Sequence, residues 1–222
     1  MIITELKPIQ NIIDSLKSYS KIFLIGCGEC ATACKTGGEP EVLKLKKELE
    51  ASGKTITGSC IPSAPCVAIK LRAELRKNTA ALEASDAVLV LACGLGVQSF
   101  KDNDKIGLAV FPACNTTFGA VMDARGNFYE KCSMCGECVL DLTAGICPVT
   151  LCAKGLLNGP CGGMNKGKCE IDNERDCAWV LIYKELEKNK KVDSLKEIRN
   201  PKDYKKAGKP RKLIIADRHR ER

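Results

Sequence analysis

A chain of 222 residues that is 45% hydrophobic can bury one ordinary core and carry a smaller satellite domain stabilised by bound metal. No stretch approaches the roughly eighteen uninterrupted apolar residues of a membrane span. The opening Met1-Ile-Ile-Thr-Glu-Leu-Lys-Pro8 lacks the apolar core of a signal segment, so a cytoplasmic chain with reduced thiols is expected. The net charge of +8 belongs to one end: from Lys184 to Arg222 fifteen Lys and Arg face seven Asp and Glu, leaving twenty of each sign in residues 1–183.

The first half alternates apolar runs of strand length with amphipathic stretches, the pattern of a parallel sheet covered on both faces. The strands are expected at Lys21–Ile25, Lys54–Thr57, Asp86–Leu91 and Ile106–Phe111. Between them, residues 40–52 place Val42, Leu45 and Leu49 at helical spacing, and residues 67–77 do the same with Ile69, Leu71 and Leu75. The expected fold is α/β: a small doubly wound parallel sheet over residues 1–124, followed by a metal-stabilised cysteine-rich domain at 125–188 and a basic tail at 189–222.

Cysteines mark the ends of all four strands: Cys27, Cys60, Cys93 and Cys114. In open α/β sheets that carboxyl edge is where ligands bind. Cys27-Gly-Glu-Cys30-Ala-Thr-Ala-Cys34 supplies three thiols from one strand-to-helix loop, so a fourth ligand for a 4Fe-4S cluster must come from a neighbouring strand end. With a strand order of 2-1-3-4 that ligand is Cys93, whose neighbours Gly94 and Gly96 allow close backbone approach. Cys60 or Cys66 is the alternative, and Cys114 stays unassigned. The same loop reads Gly26-Cys-Gly28-Glu-Cys-Ala31, which fits a dinucleotide fingerprint, but Gly58-Ser-Cys60 offers no acid for a ribose.

After Met122-Asp-Ala-Arg-Gly-Asn the composition shifts to glycine and cysteine, and eight of the fifteen cysteines fall between Cys132 and Cys177. Cys132-Ser-Met-Cys135-Gly-Glu-Cys138 spaces three thiolates two residues apart, enough to wrap one corner of an iron-sulfur cube. Zinc ribbons use two such pairs and often histidine, whereas here the third cysteine is extra and the single histidine, His219, lies near the end. Cys147, Cys152, Cys161, Cys169 and Cys177 raise the set to eight, enough for two four-thiolate sites, with 4Fe-4S favoured over zinc and the pairing open. Glycines beside Cys161 leave amides free to bond cluster sulfur, and Pro148 and Pro160 fix the chain where thiolates are presented. Asp176 is expected to cap a closing helix through Lys188, with Cys177, Val180, Leu181 and Leu186 inward and Trp179 packing at its start.

Cys147-Pro148 and Ala153-Lys-Gly-Leu-Leu-Asn-Gly-Pro-Cys161-Gly-Gly163 resemble the cysteine-rich C-terminal family associated with methylenetetrahydrofolate reductase, and within it the small iron-sulfur subunit of two-subunit reductases. The likeness is strongest over residues 130–185. It implies an electron-transfer subunit with two to three 4Fe-4S clusters, zinc being an option at one site. The electrons would pass to a flavin held only in a catalytic partner subunit, which reduces methylene- to methyltetrahydrofolate. The chain itself is too short for a catalytic barrel of about 250 residues in addition to this domain.

The tail, with its apolar patch Leu213-Ile-Ile-Ala216, is expected to order against a partner. A ferredoxin or another iron-sulfur protein is the expected donor, and an acidic ferredoxin would be steered by the basic tail. Two other classes compete. One is a zinc-stabilised structural subunit with no redox role. The other is a nucleic-acid-binding module, against which stand only five Phe, four Tyr and one Trp, none interleaved among the cysteines as a stacking platform.

Overall fold

The structure is a computed structural model that describes residues 1–214. His219 and the second half of the 213–216 patch lie outside the described residues. The chain divides into two compact units, Met1–Phe128 and Tyr129–Arg222.

The first unit opens with β1 (Ile2–Leu6) and α1 (Ile9–Ser15), followed by β2 (Lys21–Ile25), the single-turn α2 (Cys30–Ala33) and α3 (Glu39–Ala51). Next come β3 (Thr55–Cys60), α4 (Ala68–Lys77), α5 (Thr79–Glu83), β4 (Ala87–Val90), α6 (Gly94–Asn103), β5 (Ala109–Pro112) and the long β6 (Cys114–Met122). Strands β2 to β5 form a parallel sheet in the order β3-β2-β4-β5, the 2-1-3-4 arrangement under which Cys93 neighbours the Cys27 loop. Alternation along the strands separates two cores. Ile22, Leu24, Leu89 and Leu91 meet Ile12 and Leu16 of α1 and Val42, Leu45 and Leu49 of α3, while Phe23, Ile25, Val88 and Val90 meet Leu71, Leu82 and Phe100 from α4, α5 and α6. Every one of these side chains is at most 4% exposed.

Three details depart from the sequence expectation. Ile69 is 79% exposed, because α4 buries Leu71 and half-buries Leu75 along a narrower stripe than their spacing suggested. A second, antiparallel sheet joins β1 to β6 and β6 to the short β7 (Phe128–Glu130). Its hairpin turns where Asp123 Oδ1 accepts the Arg125 and Asn127 amides, with Gly126 at φ +87°. A composition shift alone was expected there; the Asp-Ala-Arg-Gly-Asn run is also turn chemistry.

The second unit carries α7 (Pro148–Leu151), α8 (Ala178–Lys188) and two 3₁₀ turns, Val192–Lys196 and Tyr204–Ala207. Its apolar core is small: Cys177, Trp179, Ile182 and Leu186 are buried, with half-buried neighbours that include Leu156 and Val180. Asp176 does not cap α8. Cys177 holds that position without a side-chain bond, and Asp176 pairs instead with Lys168 at 2.7 Å. The inward face of α8 is Trp179, Ile182 and Leu186, spaced at i, i+3 and i+7 on one side of the helix, which leaves Val180 and Leu181 half-buried.

Candidate functional site

At the carboxyl edge of the parallel sheet, β2 runs into Gly26-Cys27-Gly28, and three amides tie this turn to its neighbours. Gly26 donates to the Cys60 carbonyl, Cys27 to Gly37 and Gly28 to Pro62, each at 2.9 Å. The amides of Cys27 and Gly28 are thereby spent, and a Cβ on Gly28 would meet Ser63 Cα at 3.1 Å. A pyrophosphate would need both that space and those amides, so the dinucleotide pattern here is a coincidence of spacing. A Cβ on Gly37 would collide with the Leu91 carbonyl, and one on Gly26 would stand 2.6 Å from Gly37 O. Glycine at both positions lets the 26–37 loop press onto the end of β4.

That loop carries Cys27, Cys30 and Cys34, the last two one helical turn apart at either end of α2. Cys93 caps the N-terminus of α6 next door. The 61–66 loop is drawn over both, since Pro65 packs where a Cβ on Gly96 would lie 3.2 Å from it and Pro62 holds Gly28. Cys66 is therefore brought among them: its thiol is pushed up by desolvation and then by the charges of Cys93, Cys27 and Cys30. Cys114, at the start of β6, is pushed up to about 12 by burial, against hydrogen bonding from the Thr36 side chain, and feels Cys34, Cys93 and Cys27. Six thiols thus share one edge of the sheet.

Cys60 differs. It is buried among Phe23-side core residues, its thiol is pushed up to about 12 by burial and then by Glu74, and no cysteine is among the groups that shift it. Of the two alternatives for a fourth ligand, the structure brings Cys66 and not Cys60 to the other thiols.

In the second unit the eight cysteines fall into two groups. Thr150 Oγ1, on α7, accepts both the Ser133 amide at 3.0 Å and the Cys147 thiol at 3.6 Å. This single hydroxyl ties the Cys132-Cys135-Cys138 loop to the Cys147-Pro148 helix start, where proline needs no amide partner. The Met134 amide points at the Cys132 sulfur, 3.4 Å away, and Met134 and Gly136 take positive φ so that the loop turns tightly. The other four, Cys152, Cys161, Cys169 and Cys177, line one small, partly open cavity of about 20 Å³ beside Trp179. A knuckle turning at Lys166-Gly167 places two of them, Cys169 donating to Arg175 O and Cys177 to Gly167 O from their amides. The Gly163 amide donates to the Cys161 sulfur at 3.5 Å, as the glycines flanking that cysteine led us to expect. Trp179 Nε1 bonds Leu156 O at 3.0 Å, which is a packing role.

All fifteen cysteines are free thiols. Among the described residues no three Cys, His, Asp or Glu side chains are gathered tightly enough to hold a metal ion. A cluster's thiolates bind different irons and stand further apart than four sulfurs on one ion. The donor chemistry fits a cluster: thiols without imidazole at either edge, with backbone amides aimed at sulfur.

Sequence reasoning missed the tail's part in this unit. Lys202 is 7% exposed, with Nζ 3.2 Å from the Cys135 sulfur and a further bond to the Glu137 carbonyl. Glu137 accepts the Asp203 amide at 2.8 Å and Lys206 at 3.2 Å, and Arg211 donates to Met134 O at 2.7 Å. The Cys135 thiol is held below its usual range, first by hydrogen bonding from the Glu137 backbone and also by Lys202. A run of lysines gives no sequence signal that separates such a lysine from its solvated neighbours.

A larger cleft, about 510 Å³, lies at the C-terminal ends of α4 and α6, among Arg72, Arg76, Phe100 and Ile106, and holds no cysteine. No described helix is long and apolar enough to cross a membrane. No curated protein and no solved structure matches the chain. Residues 111–205, which include all eight cysteines of the second unit and the tail as far as Lys205, match the family described as methylene-tetrahydrofolate reductase C terminal.

Proposed function

We propose that the chain is the electron-transfer subunit of a methylenetetrahydrofolate reductase, carrying one 4Fe-4S cluster at the sheet edge and one on Cys132, Cys135, Cys138 and Cys147. The observation that carries the reading is the bridging of the Cys132–Cys138 loop to Cys147 by Thr150, which brings to a loop of three thiols, spaced as in the first three ligands of a ferredoxin, a fourth that lies further along the chain and is followed by proline. At the sheet edge Cys27, Cys30 and Cys93 are the shared members, and Cys34 or Cys66 completes the four. Such clusters would supply one-electron storage at low potential. The chain's own residues hold the thiolates apart, aim the Met134 and Gly163 amides at sulfur, and cover the loop with the tail.

Cys152, Cys161, Cys169 and Cys177 are better read as a zinc site. The four share one small cavity, and thiolates drawn to about 2.3 Å around a single ion would make a closed structural set that forms as the metal binds. The small core of this unit makes bound metal the natural source of its stability. In the reductase the clusters would feed a flavin in a catalytic partner, with a ferredoxin or another iron-sulfur protein as donor.

Iron, zinc and acid-labile sulfide measured on anaerobically purified chain test this. About eight irons with matching sulfide and about one zinc per chain are expected, with a visible band that bleaches on dithionite. Zinc without iron or a visible band would sink the electron-transfer reading and leave a structural subunit.

A further inference from the structure

Lysine is almost never fully buried without a counter-charge, and an ammonium taken out of water costs several kcal/mol unless paired. Lys202 is buried, yet it makes no ion pair with a carboxylate among the described residues. Glu137, whose backbone it touches, has its carboxylate engaged by the Asp203 amide and Lys206. The group left facing the ammonium is the Cys135 sulfur. A neutral thiol is a weak acceptor and a poor return for burying a cation.

A second cation three residues away has the same deficit. Arg199 is fixed by Asn158, which accepts its amide at 2.9 Å and donates to its carbonyl at 3.1 Å, and its Nη2 donates to Leu142 O at 2.9 Å. Its Nη1 is buried with no partner. Arg199 and Lys202 line the same cleft of about 250 Å³ with Glu137, Cys138 and Leu142. Two buried donors carrying positive charge therefore flank the Cys135 and Cys138 side of the loop, and both lack an anion.

We propose that Lys202 and Arg199, from the basic tail, are the outer-sphere cations of the cluster held by Cys132, Cys135, Cys138 and Cys147, and that they raise its reduction potential. The inference rests on the reading that those four cysteines hold a cluster. An iron-sulfur centre bound by four thiolates is net anionic and becomes more so on reduction, so fixed positive charge and N–H donors at its sulfurs favour the reduced state. The missing anion of both side chains is then the ligand set itself. The tail lies close against this loop: the Lys206 carbonyl is packed 2.6 Å from where a Cβ on Gly136 would lie, so glycine there admits it.

The test compares K202R, K202Q, K202M and R199Q with the parent chain, all purified anaerobically, by iron and sulfide content and by midpoint potential from dithionite titration followed by EPR. K202R is expected to keep the parent potential. K202Q, and further K202M, are expected to lower the potential of one cluster by roughly tenfold or more in the one-electron equilibrium, about 59 mV per factor of ten. R199Q moves the same cluster in the same direction, and the other cluster stays put in every variant. If K202M loses iron, K202Q still carries the measurement. Potentials that do not move in iron-replete K202Q and R199Q overturn the outer-sphere role alone. A parent chain with no iron overturns the cluster reading and this role with it.

Discussion

At the scale of single residues, the contrast between Cys60 and Cys66 separates a core thiol from a site thiol. Cys60 ends β3 and Cys66 follows it, but burial in the Phe23-side core lifts Cys60 from the ordinary 9.0 to about 12, whereas Cys66 is exposed and its neighbours are thiols. The unfolded chain releases the Cys60 proton near pH 9, while the folded chain keeps it until about pH 12. Its contribution to stability is therefore complete below about pH 9 and is lost as pH rises through that window. The midpoint of urea unfolding should fall between about pH 8 and pH 10.5, and C60A should fall less steeply than the parent. Equal slopes for the two chains would mean that Cys60 is not held neutral by burial. Cys114, also pushed up to about 12, adds to the parent slope but not to the difference.

At the scale of elements, the tail acts through Glu137. Its carboxyl is held below the usual range, first by the Asp203 amide and then by Lys206, so at neutral pH it is an anion tying the Tyr204–Ala207 turn to the loop. E137Q keeps an acceptor oxygen but removes the charge. Trypsin cleavage after Lys205 and Lys206 should become several-fold faster in E137Q at neutral pH, read by mass spectrometry of timed digests. Unchanged cleavage would show that Lys202 and Arg211 hold the segment without it. The parallel strands were legible because each is a short apolar run between amphipathic stretches, and the period-2 split of Ile22 and Leu24 from Phe23 and Ile25 gives the sheet two buried faces; their order is set by the pairing, which alternation does not encode. The β1–β6 pairing was not legible: β6 is mostly half-exposed, so it lacks the apolar run that marks the others. The proposed grouping of the cysteines needed the third dimension, since it rests on a Thr150 hydroxyl and the placement of Pro65 on Gly96, and neither bears on spacing along the chain.

At the scale of the molecule, the two units draw stability from different sources. Unit 1 has an apolar core on each face of its parallel sheet, enough to fold without metal. Unit 2 buries Cys177, Trp179, Ile182 and Leu186 with a few half-buried neighbours, across a stretch that begins at Tyr129. If its thiolates hold metal as proposed, such a unit depends on that binding, and removing metal should unfold it and leave unit 1 standing. The chain's single tryptophan makes this measurable, because Trp179 is 2% exposed beside the Cys152, Cys161, Cys169 and Cys177 cavity. Treating the chain with a strong chelator under mild oxidant should shift its emission to the red as the indole meets water, while far-UV circular dichroism keeps most of its helical signal from α3, α4 and α6. Loss of both signals together would mean that unit 1 needs its edge cluster to fold. Persistence of both would mean that the second unit's core and tail hold it without metal, and the thiols would then have to be explained by something other than binding.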